Sequence, residues 1–246
     1  MKVLFAGPSL SGTQFVPMRG GEDVVLPEHG LTCRGPAKCG DITLAVDQGF
    51  LTIGLVDGRF EDVAAVWHKE ILYALSKGVT VYGAASMGAL RAAECYSFGM
   101  IGIGDVFERY AFNGLEDDAA VAQVHAPAEF GYIAFSEAMV TVDATLEKAT
   151  EAGVIDFDEL HYIRAVANAI FFKERSWRRI FEEVSTKIAH AEARIKPHIC
   201  NIKRHDATLL LEAMLGHYEP VRTINQGVYV PHWSFNETSQ WLKLKI

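Results

Sequence analysis

Cysteine is scarce and unpaired in this chain of 246 residues: Cys33, Cys39, Cys95 and Cys200 are its only thiols, and no two share a C-x-x-C spacing. Zinc ligation is therefore not expected, and a disulfide framework still less. Cys33 and Cys39 remain available for sulfur chemistry, although scattered cysteines are more often inert. Long apolar runs are also missing, for no stretch approaches the ~20 residues that a membrane-spanning helix needs. The opening Met1-Lys2-Val3-Leu4-Phe5-Ala6-Gly7-Pro8 is too short for a secretory signal, and Gly7-Pro8 ends it as a strand would end. A cytoplasmic protein is the expectation. Basic charge is in the minority, 23 Lys and Arg against 31 Asp and Glu for a formal net charge of −8. No basic run offsets that balance, so neither nucleic acid nor an anionic membrane surface is the expected partner. There is no internal repeat and no low-complexity segment.

What is present suits an ordinary globular protein, with 50% hydrophobic and 22% charged residues. The first half alternates strand and helix patterns. Residues 3–6 and 51–56 read as buried strands, residues 62–77 as a helix, and 79–82 as a third strand running into a helix. Parallel strands need such helical crossovers. The pattern after Ser136 is helical to about Gly216, with breaks near Gly153, Lys173 and Lys196-Pro197. Its stripes are Phe135, Met139, Val142, Leu146 and Leu160, Ile163, Ala167, Phe171. Residues 119–124 could add a strand. The fold class is thus α/β, a Rossmann-like parallel sheet domain (1–132) followed by a C-terminal helical domain (133–218). Residues 219–246, with Val228, Tyr229, Val230 and Trp233, form an appended extension.

The densest local signal is the passage from Val79 through Gly83-Ala84-Ala85-Ser86-Met87-Gly88 to Glu94. An apolar strand runs through one serine into a helix of small residues, which places Ser86 at the rim of an open sheet, where ligands bind. The spacing approximates the G-x-S-x-G nucleophile elbow with Ala in place of the first Gly. An ordinary N-cap looks the same. Charge on the wrong face favours more than a cap. Indexed at about 100° per residue, Arg91 and Glu94 fall in the apolar arc of their helix, and Glu70 lies in the stripe Val63, Val66, Trp67, Ile71, Ala74. His68 sits at the edge of that stripe. Burying unpaired charge costs several kcal/mol, so Glu70, Arg91 and Glu94 are expected to pair with one another beneath Ser86. Either a structural salt-bridge network or a pocket whose arginine holds a carboxylate would satisfy that expectation.

Asp57, in an Asp-Gly turn at the end of a strand, joins the same rim. So does the loop Gly7-Pro8-Ser9-Leu10-Ser11-Gly12-Thr13, whose glycines and hydroxyls would suit an anion, Ser9 foremost, although a plain connection has the same composition. The loop lacks the Lys of a Walker motif and the G-x-G-x-x-G spacing, and no cofactor or metal is expected. His125, before a proline-containing turn, is a candidate general base or substrate contact. Asp57, His68 and Ser86 could form a triad, since triads are defined by geometry and not by order; Glu70 and His125 are alternative bases.

Several of these segments resemble the TfuA-like family in order and spacing. They are Phe5-Ala6-Gly7-Pro8-Ser9, Ile53 to Phe60, Val66 to Leu72, Gly83 to Glu94, Phe98-Gly99-Met100 and Val124-His125-Ala126-Pro127-Ala128-Glu129. The resemblance covers about residues 1–130, and Lys203-Arg204-His205-Asp206-Ala207 is a weaker late echo. It implies an accessory role beside a YcaO-type enzyme, which uses ATP to activate a peptide amide so that sulfide replaces its oxygen. The helper would supply sulfur, for example by hydrolysing a thiocarboxylate at the C-terminus of a ubiquitin-like sulfur carrier, with the precursor peptide a further possible partner. On that implication Ser86, His68 and Asp57 would be catalytic, Arg91 would hold the carboxylate, and Glu70 and Glu94 would fix Arg91. A non-catalytic activator docking on the YcaO-type enzyme is the rival implication.

Overall fold

The computed structural model describes residues 1–17, 21–219 and 233–244. Its centre is a six-stranded sheet in the order β2-β3-β1-β4-β5-β6. The strands are β1 (Lys2–Phe5), β2 (Val24–Leu26), β3 (Leu31–Arg34), β4 (Thr52–Leu55), β5 (Thr80–Ala84) and β6 (Ile101–Ile103). All neighbours are parallel except β2, which pairs antiparallel with β3 at one edge. Leu4 stands in register with Cys33 on one side and Gly54 on the other. The chain starts in the middle, steps outward to β3 and then reverses past β1 to β4. The gap between the C-terminal ends of β1 and β4 is therefore the topological switch point, the place where doubly wound sheets bind ligands.

Both faces of the sheet are covered, which explains why its central strands are apolar throughout and not alternating. Val3, Phe5, Ile53, Leu55 and Val81 point into a core shared with α1 (Asp41–Asp47), α2 (His68–Ser76) and α3 (Met87–Cys95). The intervening Leu4, Ala6, Val56 and Ala84 face α9 (Ile202–Leu215). The approach of α9 is close: a Cβ on Gly54 would stand 2.3 Å from the Met214 sulfur and 2.9 Å from a Leu210 methyl. Between these lie α4 (Asp105–Ala111), α5 (Met139–Glu151), α6 (Phe157–Ala169), α7 (Trp177–Val184) and α8 (Ala191–Ile195). The buried residues of α5 to α8 join the core on the α1–α3 side, whereas α9, within the same helical half of the sequence, returns to the sheet. No helix among the described residues is long and apolar enough to cross a membrane.

Three expectations change. The helix expected over 62–77 starts only at His68, because the preceding residues cross from β4 and pair elsewhere: the Ala64 carbonyl accepts from Cys39 N at 2.8 Å, and that of Val66 from Arg91. Residues 118–121 form a 3-10 turn and not a strand, since the Asp117 carboxylate accepts from Ala119 N and starts a helical turn. Phe135 and Phe171, counted as core from their spacing, are 65% and 58% exposed because they lie beyond the ends of α5 and α6. In the tail, Val228, Tyr229 and Val230 lie outside the described residues. Trp233 donates to the Phe98 carbonyl, and α10 (Ser239–Leu244) buries Trp241 against Tyr73 and Phe235.

Asp206 ties α9 to the start of α4. It is fully buried, its Oδ2 accepts from Val106 N at 2.8 Å and its Oδ1 has no partner. Burial raises its pKa to about 7 against the opposing hydrogen bond from Val106. A carboxyl that keeps its proton when folded, but has lost it when unfolded, makes stability fall as pH rises from the unfolded value to about 7. Replacing Asp206 by Asn should remove that fall, a difference of up to about 4 kcal/mol between pH 4 and pH 8. Urea unfolding across that range measures it; an unchanged pH dependence refutes the assignment.

Candidate functional site

The corner between β5 and α3 is tighter than a helix cap requires. Ala85 has φ +66°, and Ser86 N donates to the Ala84 carbonyl at 2.7 Å, so the chain turns through a strained γ-turn centred on Ala85. The elbow geometry is present, but its strained residue is Ala85 and not the serine that follows. Glycine is required on either side by packing. A Cβ on Gly88 would stand 1.8 Å from the Leu55 carbonyl oxygen, and one on Gly83 would stand 2.2 Å from that of Gly88. Gly88 N also donates to the Val56 carbonyl, locking the first turn of α3 onto the end of β4. Ser86 precedes α3 without using its hydroxyl as a cap. That hydroxyl has no hydrogen-bond partner among the described residues and borders a cavity of about 630 Å³.

Asp57 occupies the switch point. Its Oδ2 accepts from Gly7 N at 2.8 Å and Ser9 N at 3.0 Å, and its Oδ1 accepts from the Ser9 hydroxyl at 2.7 Å. The loop after β1 does bind an anion, but the anion is the protein's own carboxylate. Ser9 is thus a holder of Asp57, itself 2% exposed. The same cavity is lined by Asp57, Ser86, Gln123, His125, Tyr132 and Lys203, with Arg59, Phe60, Glu61, Phe172 and Lys173 among its more exposed residues. His125 is set by a short antiparallel contact in which Ala126 N donates to the Ile133 carbonyl, and its ring lies edge-on to Tyr132 at 5.6 Å. Its Nδ1 lies 2.8 Å from the Ala126 carbonyl. A carbonyl only accepts, so Nδ1 is the donor, and Nε2 is the ring nitrogen that would carry the lone pair a general base needs.

The remaining sequence candidates gather elsewhere. Glu94 accepts from His68 Nε2 and from Arg91, each at 2.7 Å, and Arg91 Nε donates to the Val66 carbonyl at 2.8 Å. Burial works to raise the Glu94 carboxyl, but the hydrogen bonds of His68 and Arg91 outweigh it and hold the group below its usual range. This cluster bolts α2 to α3 and does not line the cavity. Glu70 does not join it. Because α2 begins at His68, Glu70 is the third helical residue, and its carboxylate accepts from Trp67 N at 3.0 Å and from Gly40 N at 2.8 Å. The expected three-charge cluster of Glu70, Arg91 and Glu94 is therefore corrected to an Arg91–Glu94–His68 group with Glu70 apart. Nor does the Asp57–His68–Ser86 triad assemble: the oxygens of Asp57 serve Gly7 and Ser9, and His68 is held by Glu94.

Lys203 is the cavity residue that sequence reasoning missed. Its signal was the one that exposed Glu70 and Arg91, a charge on an apolar stripe, here Lys203, Ala207, Leu210 and Met214 of α9. Its Nζ is anchored to the Val121 carbonyl at 3.0 Å and to Gln123 Oε1 at 2.6 Å.

A doubly wound α/β protein with a polar cavity at its switch point is the class that this geometry defines. Within that class, residues 57–176 match the family model described as TfuA-like protein, which supports the resemblance read from the sequence. The matched stretch runs from Asp57 through the Ser86 corner and His125, and stops before α9. No curated protein matches the chain.

Glu70→Ala would strip two part-buried amides of their acceptor, and should cost on the order of 1–3 kcal/mol in urea unfolding. Replacing Gly88 with Ala drives a methyl into backbone, and should lower stability by at least as much, on the order of 3 kcal/mol. A Gly88→Ala protein with an unchanged unfolding midpoint would refute the contact between α3 and β4.

Proposed function

We propose that this TfuA-like protein supplies sulfur for peptide backbone thioamidation by releasing it from the C-terminal thiocarboxylate of a ubiquitin-like carrier protein, for use by a YcaO-type enzyme acting on a precursor peptide. The observation that carries the reading is the unpartnered Ser86 hydroxyl at a strained strand-to-helix corner, bordering a cavity that it shares with His125. The reaction consumes one water: R–COS⁻ and H₂O become R–COO⁻ and H₂S. His125 Nε2 takes a proton from the Ser86 hydroxyl or from a water that the hydroxyl orients. The resulting nucleophile attacks the thiocarboxylate carbon, the C–S bond breaks, and the sulfur leaves with the proton taken up by His125. Where the Ser86 oxygen attacks, the acyl ester it forms is then hydrolysed by the water, which restores the hydroxyl; where the water attacks, the carboxylate forms directly. Asp57, with its oxygens already occupied, holds the floor of the cavity and is not the partner of the histidine. Arg91, Glu70 and Glu94 are scaffold in this scheme, and no cofactor is called for.

Ser86→Ala and His125→Ala should each slow sulfide release from a thiocarboxylated carrier by about 10²-fold or more. His68→Ala should stay within about two-fold, since its partner is Glu94. Release unchanged in both Ser86→Ala and His125→Ala would sink the hydrolytic scheme. A second reading, a docking partner that activates the YcaO-type enzyme, is favoured by the exposed Phe60, Phe130, Phe135 and Phe171. Free sulfide separates the two. If excess sulfide makes this protein dispensable for thioamidation, supply is its role; if the protein is still required, activation is.

A further inference from the structure

Lys203 is 2% exposed, yet it lines the cavity beside Asp57, Ser86 and His125. An ammonium has three N–H donors, and Val121 and Gln123 take two of them. The third has no protein acceptor among the described residues. No carboxylate lies within ion-pair distance of Lys203 among those residues; Asp57 and Glu137 act on it only through space, opposing a burial that pushes its pKa down. The other cations of the cavity are already matched at its rim, Arg59 with Asp62 and Lys173 with Glu61 at 3.0 Å. A buried cation without a counter-ion costs several kcal/mol. Its spare donor and its place on the cavity wall say what would offset that cost.

We propose that Lys203 is the anion-binding residue of the cavity, donating its third N–H to the terminal carboxylate or thiocarboxylate of a polypeptide tail, so that a C-terminal negative charge is a condition of binding. The substrate class rests on the function proposed above. Arg91, to which the family resemblance gave this task, does not line the cavity and turns its Nε and Nη1 to Val66 and Glu94. Chemistry gives the charge a second use. Nucleophiles approach the carbon of a thiocarboxylate anion against its charge, and a fixed ammonium beside the group lowers that barrier.

The test needs no turnover. A synthetic peptide ending in Gly-Gly carboxylate, and the same peptide ending in carboxamide, are titrated calorimetrically into the full chain. The native protein should bind the carboxylate at least ten-fold more tightly. Lys203→Met should reduce that preference to about one by weakening the carboxylate alone, while Lys203→Arg should keep part of it. A residue that merely pins Val121 and Gln123 would move both affinities together, which would overturn the proposal. So would a folded Lys203→Met protein that keeps the ten-fold preference. Should Lys203→Met fail to fold, the native protein decides alone, a carboxylate-to-carboxamide ratio near one overturning the inference. Sulfide release assayed in parallel separates the two readings. Preference without hydrolysis overturns the hydrolytic scheme and supports Lys203, whereas hydrolysis without preference does the reverse.

Discussion

The carboxylate of Asp57 holds together the two strands that frame the switch point. By accepting from Gly7 N, Ser9 N and the Ser9 hydroxyl, it fastens the loop after β1 to the end of β4 at the point where the strand order reverses. The neighbouring contact is of a different kind: Gly88 lets the backbone of α3 touch the backbone of β4 with no side chain between. Together they set the height at which Ser86 emerges. A looser junction would let α3 slide on the sheet, and the hydroxyl would no longer meet the cavity wall that carries His125.

Periodicity made the sheet legible. Short apolar runs at residues 3–6, 51–56 and 79–82, separated by helical stretches or turn residues, admit few arrangements other than a parallel sheet, and Ser86 and Asp57 fall at its rim for the same reason. The charged residues were legible in part. Helical indexing picked out Glu70, Arg91 and Glu94 as charges on apolar faces, and each does have partners, but only Glu70 is buried, Arg91 being half-buried and Glu94 exposed. Which partners they have was hidden, because it depends on where α2 starts. A start at His68 makes Glu70 a helix-capping residue, and six residues of error at that boundary changed a proposed ligand site into a scaffold. Lys203 was hidden for another reason. Nothing local says that α9, last in a run of helices, crosses back to the face of the sheet opposite α3.

Two electrostatic styles coexist in this fold. Along the seam between α2 and α3, the charges of His68, Arg91 and Glu94 neutralise one another at partial exposure, a bracing whose strength surface screening keeps modest. On the cavity wall the two buried charges, Asp57 and Lys203, are met by backbone groups together with the Ser9 hydroxyl and the Gln123 amide, and neither has a direct ion pair among the described residues. Fixed dipoles of that kind hold a charge in place while leaving its field available to a ligand.

Lys203 and Asp57 border one cavity from positions 146 residues apart in the chain, and the part of the wall between them includes Ser86 and His125. A cavity built from such distant pieces has an order of assembly. The β1 loop, the Ser86 corner and the His125 turn can all be in place while α9 is still unmade, but the cavity then lacks one wall and its cation. Binding competence thus waits on α9, and a growing polypeptide stays inert toward its ligand until that helix has been synthesised and docked.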